Sequence, residues 1–168
     1  MDTMLHQGAK LGAIARAQAD FSQPERARAA QPLDEHGLWA DLQLRAHALL
    51  REPRADDFLP RFEQVHTEAL SRLQQRPDAV LMLLIFEASQ DPQHYSARHG
   101  LLSLVLAELC ARQLGWSDEW RQALTRAALS MNIGISALQD RMAVQTEGLD
   151  EAQRQALVSH GDRAAQLL

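Results

Sequence analysis

Cysteine, lysine and β-branched residues are scarce in this sequence of 168 residues, and these shortages exclude several classes of protein. Cys110 is the only cysteine, so the chain can form neither an internal disulfide nor a cysteine-based zinc site, as expected for a reducing cytoplasm. Valine, isoleucine and threonine number 5, 4 and 4, against 27 leucines and 27 alanines. This balance predicts helices and disfavours a sheet-based fold.

Long apolar runs and a basic surface are also missing. The longest apolar run, Ala79 to Phe86, is eight residues long, well short of the roughly 20 residues that a membrane-spanning helix needs. The formal net charge is −5, and the arginines are interspersed with acidic residues, which leaves no basic surface for nucleic acid. We therefore predict a cytoplasmic protein that binds neither membranes nor nucleic acid.

Proline is absent after Pro92, so the second half of the chain is predicted to be a compact helical unit. Upstream, the prolines divide the chain into predicted helices over 4–21, 33–51, 56–75 and 77–89. We expect an all-α helical bundle in which residues 1–55 form an N-terminal helical extension and residues 56–168 form the main domain. The extension offers more apolar surface than one short helix needs, which suggests a homodimer contact through Leu38, Trp39, Leu42, Leu49 and Leu50.

Apolar periodicity and capping patterns subdivide the second half. Tyr95, His99, Leu102, Leu106 and Leu109 recur at three- and four-residue steps, which predicts a central, largely buried helix ending near Gly115. Ser117 is the predicted N-cap of the next helix, whose apolar positions begin at Trp120 and include Leu124, Ala127, Ala128 and Met131. A short helix is expected near 136–143. Asp150 with Gln153 has the pattern of a capping box, and the last helix would bury Leu157, His160 and Ala164.

Seven histidines suggest a metal site, but their spacing does not match a known ligand motif. There is no His-Glu-x-x-His sequence, and His94 and His99 are five residues apart, which places them on different helix faces. The remaining upstream histidines are interpreted as solvated or capping residues; they are His6, His36, His47 and His66. His99 and His160 both fall on predicted apolar faces, either as site residues or as core histidines satisfied by hydrogen bonds.

Three motifs around these two histidines occur in a recognisable order. Tyr95-Ser-Ala-Arg-His99 is followed by Met131-Asn132-Ile133-Gly134-Ile135, then by Leu149-Asp-Glu-Ala-Gln and His160-Gly161. Met131 lies 32 residues after His99 and 29 before His160. Over about residues 58–168 this series resembles the HD-GYP branch of the HD phosphohydrolases, in which Tyr-x-x-x-His precedes His-Asp-x-Gly-Lys and a helix that ends in His-Pro. The resemblance implies an HD-domain-like helical core and a phosphodiesterase that cleaves cyclic di-GMP with iron or manganese.

The sequence departs from the family pattern where the chemistry would occur. The His-Asp pair corresponds to Met131 and Asn132, and the lysine corresponds to Ile135. A thioether and a neutral amide are poor ligands for hard cations that must share a bridging water. The family's later ligands and its Gly-Tyr-Pro motif would follow Leu168. We therefore expect a vestigial site of His99, Met131, Asn132, Ile135 and His160, with no catalytic residue, no metal and no cofactor.

These observations predict a catalytically inactive HD-GYP-like module that regulates bacterial signalling through a protein partner or as a homodimer. Three alternatives stay open at this point: a module that binds a nucleotide or cyclic di-GMP without cleaving it, the N-terminal part of a longer metal-dependent phosphodiesterase, and an HDOD-like signalling module. The nucleotide-binding alternative depends on Arg98, Arg126 and Arg141, which lie near the matched motifs and are candidate phosphate contacts.

Overall fold

The computed structural model describes residues 34–90 and 92–167, and all regular secondary structure in these two ranges is helical. The predicted all-α class is therefore confirmed. The helices are α1 (Glu35–Arg51), α2 (Phe58–Gln75), α3 (Pro77–Gln90), α4 (Tyr95–Gln113), α5 (Asp118–Ser130), α6 (Ser136–Ala143), α7 (Glu151–Val158) and α8 (His160–Leu167). The helix predicted over 4–21 lies outside the described residues.

The chain from Glu35 to Leu168 forms one compact unit. The predicted boundary between residues 55 and 56 falls inside this unit, in the turn that joins α1 to α2. Pro77 occupies the first position of α3, where a helix does not use the missing N–H of proline. In the described part of the chain, no helix is both long and apolar enough to span a bilayer.

The core forms around α4, which packs against α1, α3, α5 and α6. Leu101, Leu104 and Val105 of α4 are fully buried, as are Trp39 and Leu42 of α1. Most of the apolar surface of α1 on which the predicted dimer contact depends is therefore not available to a partner. Apart from the half-buried Leu38, the apolar residues that suggested it are buried within this chain; they are Trp39, Leu42, Leu49 and Leu50.

The buried face of α4 differs from the predicted one. Tyr95 and Leu106 belong to the predicted inner stripe, but they are 38% and 42% exposed. Leu101, Leu104 and Val105, which lie outside that predicted stripe, are part of the hydrophobic core. The reason is that α4 carries leucine on most of its circumference, so the apolar period alone does not fix which face turns inward.

Polar residues contribute more to the buried face of α5 than its apolar period indicates. Trp120 is exposed, whereas Thr125, Leu129 and Ser130 are buried. Thr125 Oγ1 donates to the carbonyl of Arg121 at 2.9 Å, and Ser130 Oγ donates to the carbonyl of Arg126 at 2.9 Å. Since these hydroxyls are satisfied within the helix, burying them costs little.

The capping predictions are confirmed, but the last predicted helix is two helices. The side chain of Ser117 accepts from the backbone N–H of Trp120, and Asp150 with Gln153 forms a complete capping box. Ser159 separates α7 from α8, and both its N–H and its hydroxyl donate to the carbonyl of Gln155. The interruption places His160 at the first position of α8, where it is only half buried.

Candidate functional site

The turn between α5 and α6 contains Met131, Asn132 and Ile135 of the predicted site. Ile135 donates its N–H to the carbonyl of Asn132 at 3.0 Å, and Ser136 Oγ donates to the same carbonyl at 2.9 Å. Ile135 is 4% exposed and Asn132 8%, whereas Met131 is half buried. A tight, hydrogen-bonded turn thus buries the apolar side chain of Ile135.

Two glycines allow close approach of the chain around this turn: Gly100 lies against the end of α5, and Gly134 lies against α8. A Cβ atom on Gly100 of α4 would lie 3.0 Å from the carbonyl oxygen of Leu129, near the end of α5. A Cβ atom on Gly134 would lie 2.8 Å from Cβ of Arg163 on α8. The turn is therefore packed between the helices that carry His99 and His160.

His99 and His160 each contact a residue close to them in the chain. The ring of His99 stacks on Tyr95, with centroids 5.3 Å apart and planes 10° from parallel. Nδ1 of His160 lies 2.5 Å from the carbonyl oxygen of Leu157, and this nitrogen must carry the proton because a carbonyl only accepts. Direct contact of the two imidazoles with each other or with Asn132 stays a prediction.

The donors at these positions do not fit a two-metal centre. Met131 offers a thioether and Asn132 an uncharged amide, whereas paired divalent cations need carboxylate or imidazole ligands. In residues 34–90 and 92–167, no group of three or more histidine, cysteine, aspartate or glutamate side chains is placed to hold a metal ion.

The three candidate phosphate contacts differ in their present partners. Arg126 makes a two-pronged ion pair with Glu63, at 2.8 and 2.9 Å, and the hydrogen bonds from Arg126 lower the pKa of the Glu63 carboxyl. Arg98 Nε donates to Gln43 Oε1 at 3.1 Å. Arg141 is exposed, and its guanidinium donates to the carbonyl of Ala137 on its own helix.

Arg141 also lines a cavity of about 330 Å³ together with Arg51 and Arg163. Sequence reasoning missed these last two arginines because they come from α1 and α8, at opposite ends of the described chain. The remaining lining residues are uncharged; they are Leu50, Pro53, Ile133, Gly134, Ile135, Ser136, Ala137, Leu138 and Leu167.

A second polar cluster, also missed, joins α1, α4 and α6. The rings of His47 and His94 stack with centroids 4.0 Å apart. Asp140 Oδ2 lies 3.5 Å from His47 Nδ1 and 3.7 Å from a guanidinium nitrogen of Arg51. Burial lowers the pKa of His47, the neighbouring His94 and Arg51 lower it further, and Asp140 opposes them. Short-range sequence patterns contain no signal for contacts over such separations.

The outer face of α3 is apolar and exposed. Met82 and Phe86 are 65% and 62% exposed and Ile85 lies between them, while the helix buries Val80 and Leu84 on its other side. The end of α3 continues into a groove of about 500 Å³ lined by Ala88, Ser89, Pro92, Tyr95, Gln139, Met142, Ala143 and Leu157.

No family model, curated protein or solved structure matches this chain.

Proposed function

We propose that this chain is a catalytically inactive, HD-GYP-like regulatory module of the bacterial cytoplasm, and that it acts by pairing with a second copy of itself. The observation that carries the proposal is the exposed apolar face of α3 beside an apolar groove.

The turn from Met131 to Ile135 supports the absence of catalysis. A phosphodiesterase of the resembled family needs imidazole and carboxylate ligands at this point, which hold cations about 3.5–4 Å apart. Here Ile135 and Asn132 are buried, and Gly134 lies so close to Arg163 that even a methyl group would collide. A buried isoleucine and a neutral amide at these positions avoid the cost of burying unpaired charges, so the turn needs no metal to be stable.

The composition of α3 supports an interaction role. A helix that is apolar on every side is normally buried on every side. In α3, however, Met82, Ile85 and Phe86 occupy positions i, i+3 and i+4 on the outer face, which is the spacing of side chains that anchor a helix in a partner's groove. Exposed apolar residues clustered in this way are typical of association surfaces.

We favour a second copy as the partner because one chain carries both an exposed apolar ridge and a groove. The ridge of Met82, Ile85 and Phe86 and the groove at Pro92, Tyr95, Met142 and Leu157 lie next to each other, so a twofold axis would insert each ridge into the partner's groove. Between Ala79 and Phe86 there is no charged residue, so like charges would not oppose each other there. Stable pairs bury about 800 Å² per partner, so both the ridge and the groove must take part.

Light scattering coupled to size-exclusion chromatography tests the pairing. The wild-type chain should elute as a dimer at micromolar concentration, and Phe86→Ser should shift it to a monomer of 18.8 kDa. Val158→Ser is the matched control, because Val158 is also strongly exposed but is absent from the ridge and the groove lining. A wild-type monomer at high concentration would rule out the pairing.

Metal analysis and a hydrolysis assay test the absence of catalysis. Purified protein should contain no stoichiometric iron or manganese and should leave cyclic di-GMP intact. Met131→His combined with Asn132→Asp should raise the affinity for manganese, since two more ligands would then belong to the vestigial site, but it should not produce turnover. Hydrolysis by the wild-type chain would contradict the proposal.

A further inference from the structure

The cavity lined by Arg51, Arg141 and Arg163 carries an excess of positive charge. Each arginine comes from a different helix, α1, α6 or α8, and no acidic residue is among the described residues that line the cavity. Arg51, Arg141 and Arg163 are all exposed, so solvent reaches this space, and three cations along one cavity attract an anion more strongly than one cation does. From this arrangement we infer that the cavity binds the phosphate group of a small phosphorylated molecule.

The donors of these arginines are largely available. Arg51 reaches the nearest carboxylate, Asp140, only at 3.7 Å, which is longer than a charge-assisted hydrogen bond. Arg141 donates to a neutral carbonyl of its own helix, and Arg163 takes part in no ion pair with the described residues. By contrast, Arg126 has its planar fork filled by Glu63 at 2.8 and 2.9 Å. The cavity arginines have no carboxylate partner at such a distance among the described residues, so their N–H groups can donate to an added anion.

The backbone beside the arginines adds to this charge. Ser136, Ala137 and Leu138, the first residues of α6, line the same cavity, and the N-cap residue Ile135 supplies no side-chain hydrogen bond to them. The first N–H groups of a helix have no partner within the helix and favour negative charge. The arginines therefore provide the attraction, and the start of α6 provides additional directed donors.

The size of the cavity limits the ligand. A volume of about 330 Å³ is at the small end of ligand cavities, which range from about 300 to 1,000 Å³. This volume accommodates a diphosphate or a mononucleotide. Arginine is well suited to such a ligand because its fork binds two phosphate oxygens at once. The inference does not require a family relationship, and it would survive a failure of the proposed pairing.

Calorimetry with sodium pyrophosphate in low-salt chloride buffer tests the inference. Wild-type protein should bind with saturable heat, and Arg163→Gln and Arg51→Gln should each weaken the affinity roughly tenfold or more. Arg163→Lys, which keeps the charge but loses the fork, should fall between wild type and Arg163→Gln. Arg154→Gln makes the same change of charge on α7 outside the cavity, and it should leave the affinity unchanged.

Two outcomes would overturn the inference. One is the absence of binding heat from the wild-type chain at millimolar pyrophosphate, and the other is an equal loss of affinity in Arg154→Gln and Arg163→Gln, which would indicate diffuse charge attraction. Circular dichroism of each variant verifies that it is folded.

A second titration compares inorganic phosphate with adenosine monophosphate. Tighter binding of the nucleotide indicates contacts beyond the phosphate, and equal binding indicates recognition of the phosphate alone.

Discussion

Asp140 of α6 caps α4 by accepting a hydrogen bond at 2.8 Å from the backbone N–H of Ser96, 44 residues earlier in the chain. The N-cap residue of α4, His94, has left-handed backbone angles and gives no side-chain cap. A carboxylate from another helix therefore satisfies one of the free N–H groups in the first turn of α4 and complements the positive end of that helix. The same carboxylate lies near His47 and Arg51, so it links the cap to the surroundings of the arginine cavity.

Replacing this carboxylate should destabilise the domain. Loss of a capping side chain costs about 0.5–2 kcal/mol, so Asp140→Ala should lower the free energy of unfolding by about that amount in urea denaturation. Asp140→Asn should cost less, because an amide oxygen can still accept from Ser96. Asp57→Ala is the control, since Asp57 is the N-cap of α2 but makes no side-chain cap bond. Equal losses from Asp57→Ala and Asp140→Ala would argue against the capping role.

The sequence predicts the local part of this fold well. Helix starts at Ser117 and Asp150 depend on residues within one turn, and both caps are present. The positions of prolines fix most helix limits upstream to within two or three residues. Caps and proline breaks depend on residues that are close in sequence, so the sequence alone is sufficient to predict them.

Short-range patterns could not predict which face of each helix is buried, nor which polar side chains lie close together. In α3 and α4 apolar residues occupy more than one face, and the tertiary packing decides which face is buried. His47 lies near Asp140 of α6, and Arg51 lines the same cavity as Arg163 of α8, only because the helices that carry them belong to one compact unit. Without long-range contacts, such residues look like ordinary solvated side chains.

Two histidines should make the domain less stable as the pH falls. His66, interpreted from sequence as a solvated residue, is buried and bonded to Thr125 Oγ1 at 2.8 Å. Since Thr125 donates its own proton to a backbone carbonyl, Nε2 of His66 must be the donor in this bond. Burial is the main cause that lowers the pKa of His66, as it is for His47.

The sign of the pH effect follows from these lowered pKa values. As the pH falls below about 6.5, the unfolded chain takes up protons on these imidazoles while the folded chain resists, so the free energy of unfolding decreases. Urea denaturation at pH 7.5, 6.5 and 5.5 should show this loss, above the range in which carboxylates titrate. His47→Gln should make the dependence shallower, because it removes one of the two imidazoles whose pKa is lowered by burial. An unchanged slope in His47→Gln would exclude a contribution from that residue.

Gly134 should be intolerant of any side chain because of the contact between the turn and α8. Its backbone angles are not of the left-handed type, so the cost of Gly134→Ala comes from the collision with Arg163, whose Cβ would lie 2.8 Å from the new methyl group. Because that atom is close to the backbone, α8 must move, and overpacking of this kind costs about 1–3 kcal/mol. Gly148→Ala is the matched control, since no atom lies within 4 Å of its Cβ position. We expect thermal denaturation to show a clear loss for Gly134→Ala and none for Gly148→Ala, whereas equal melting temperatures would contradict the close contact of the turn with α8.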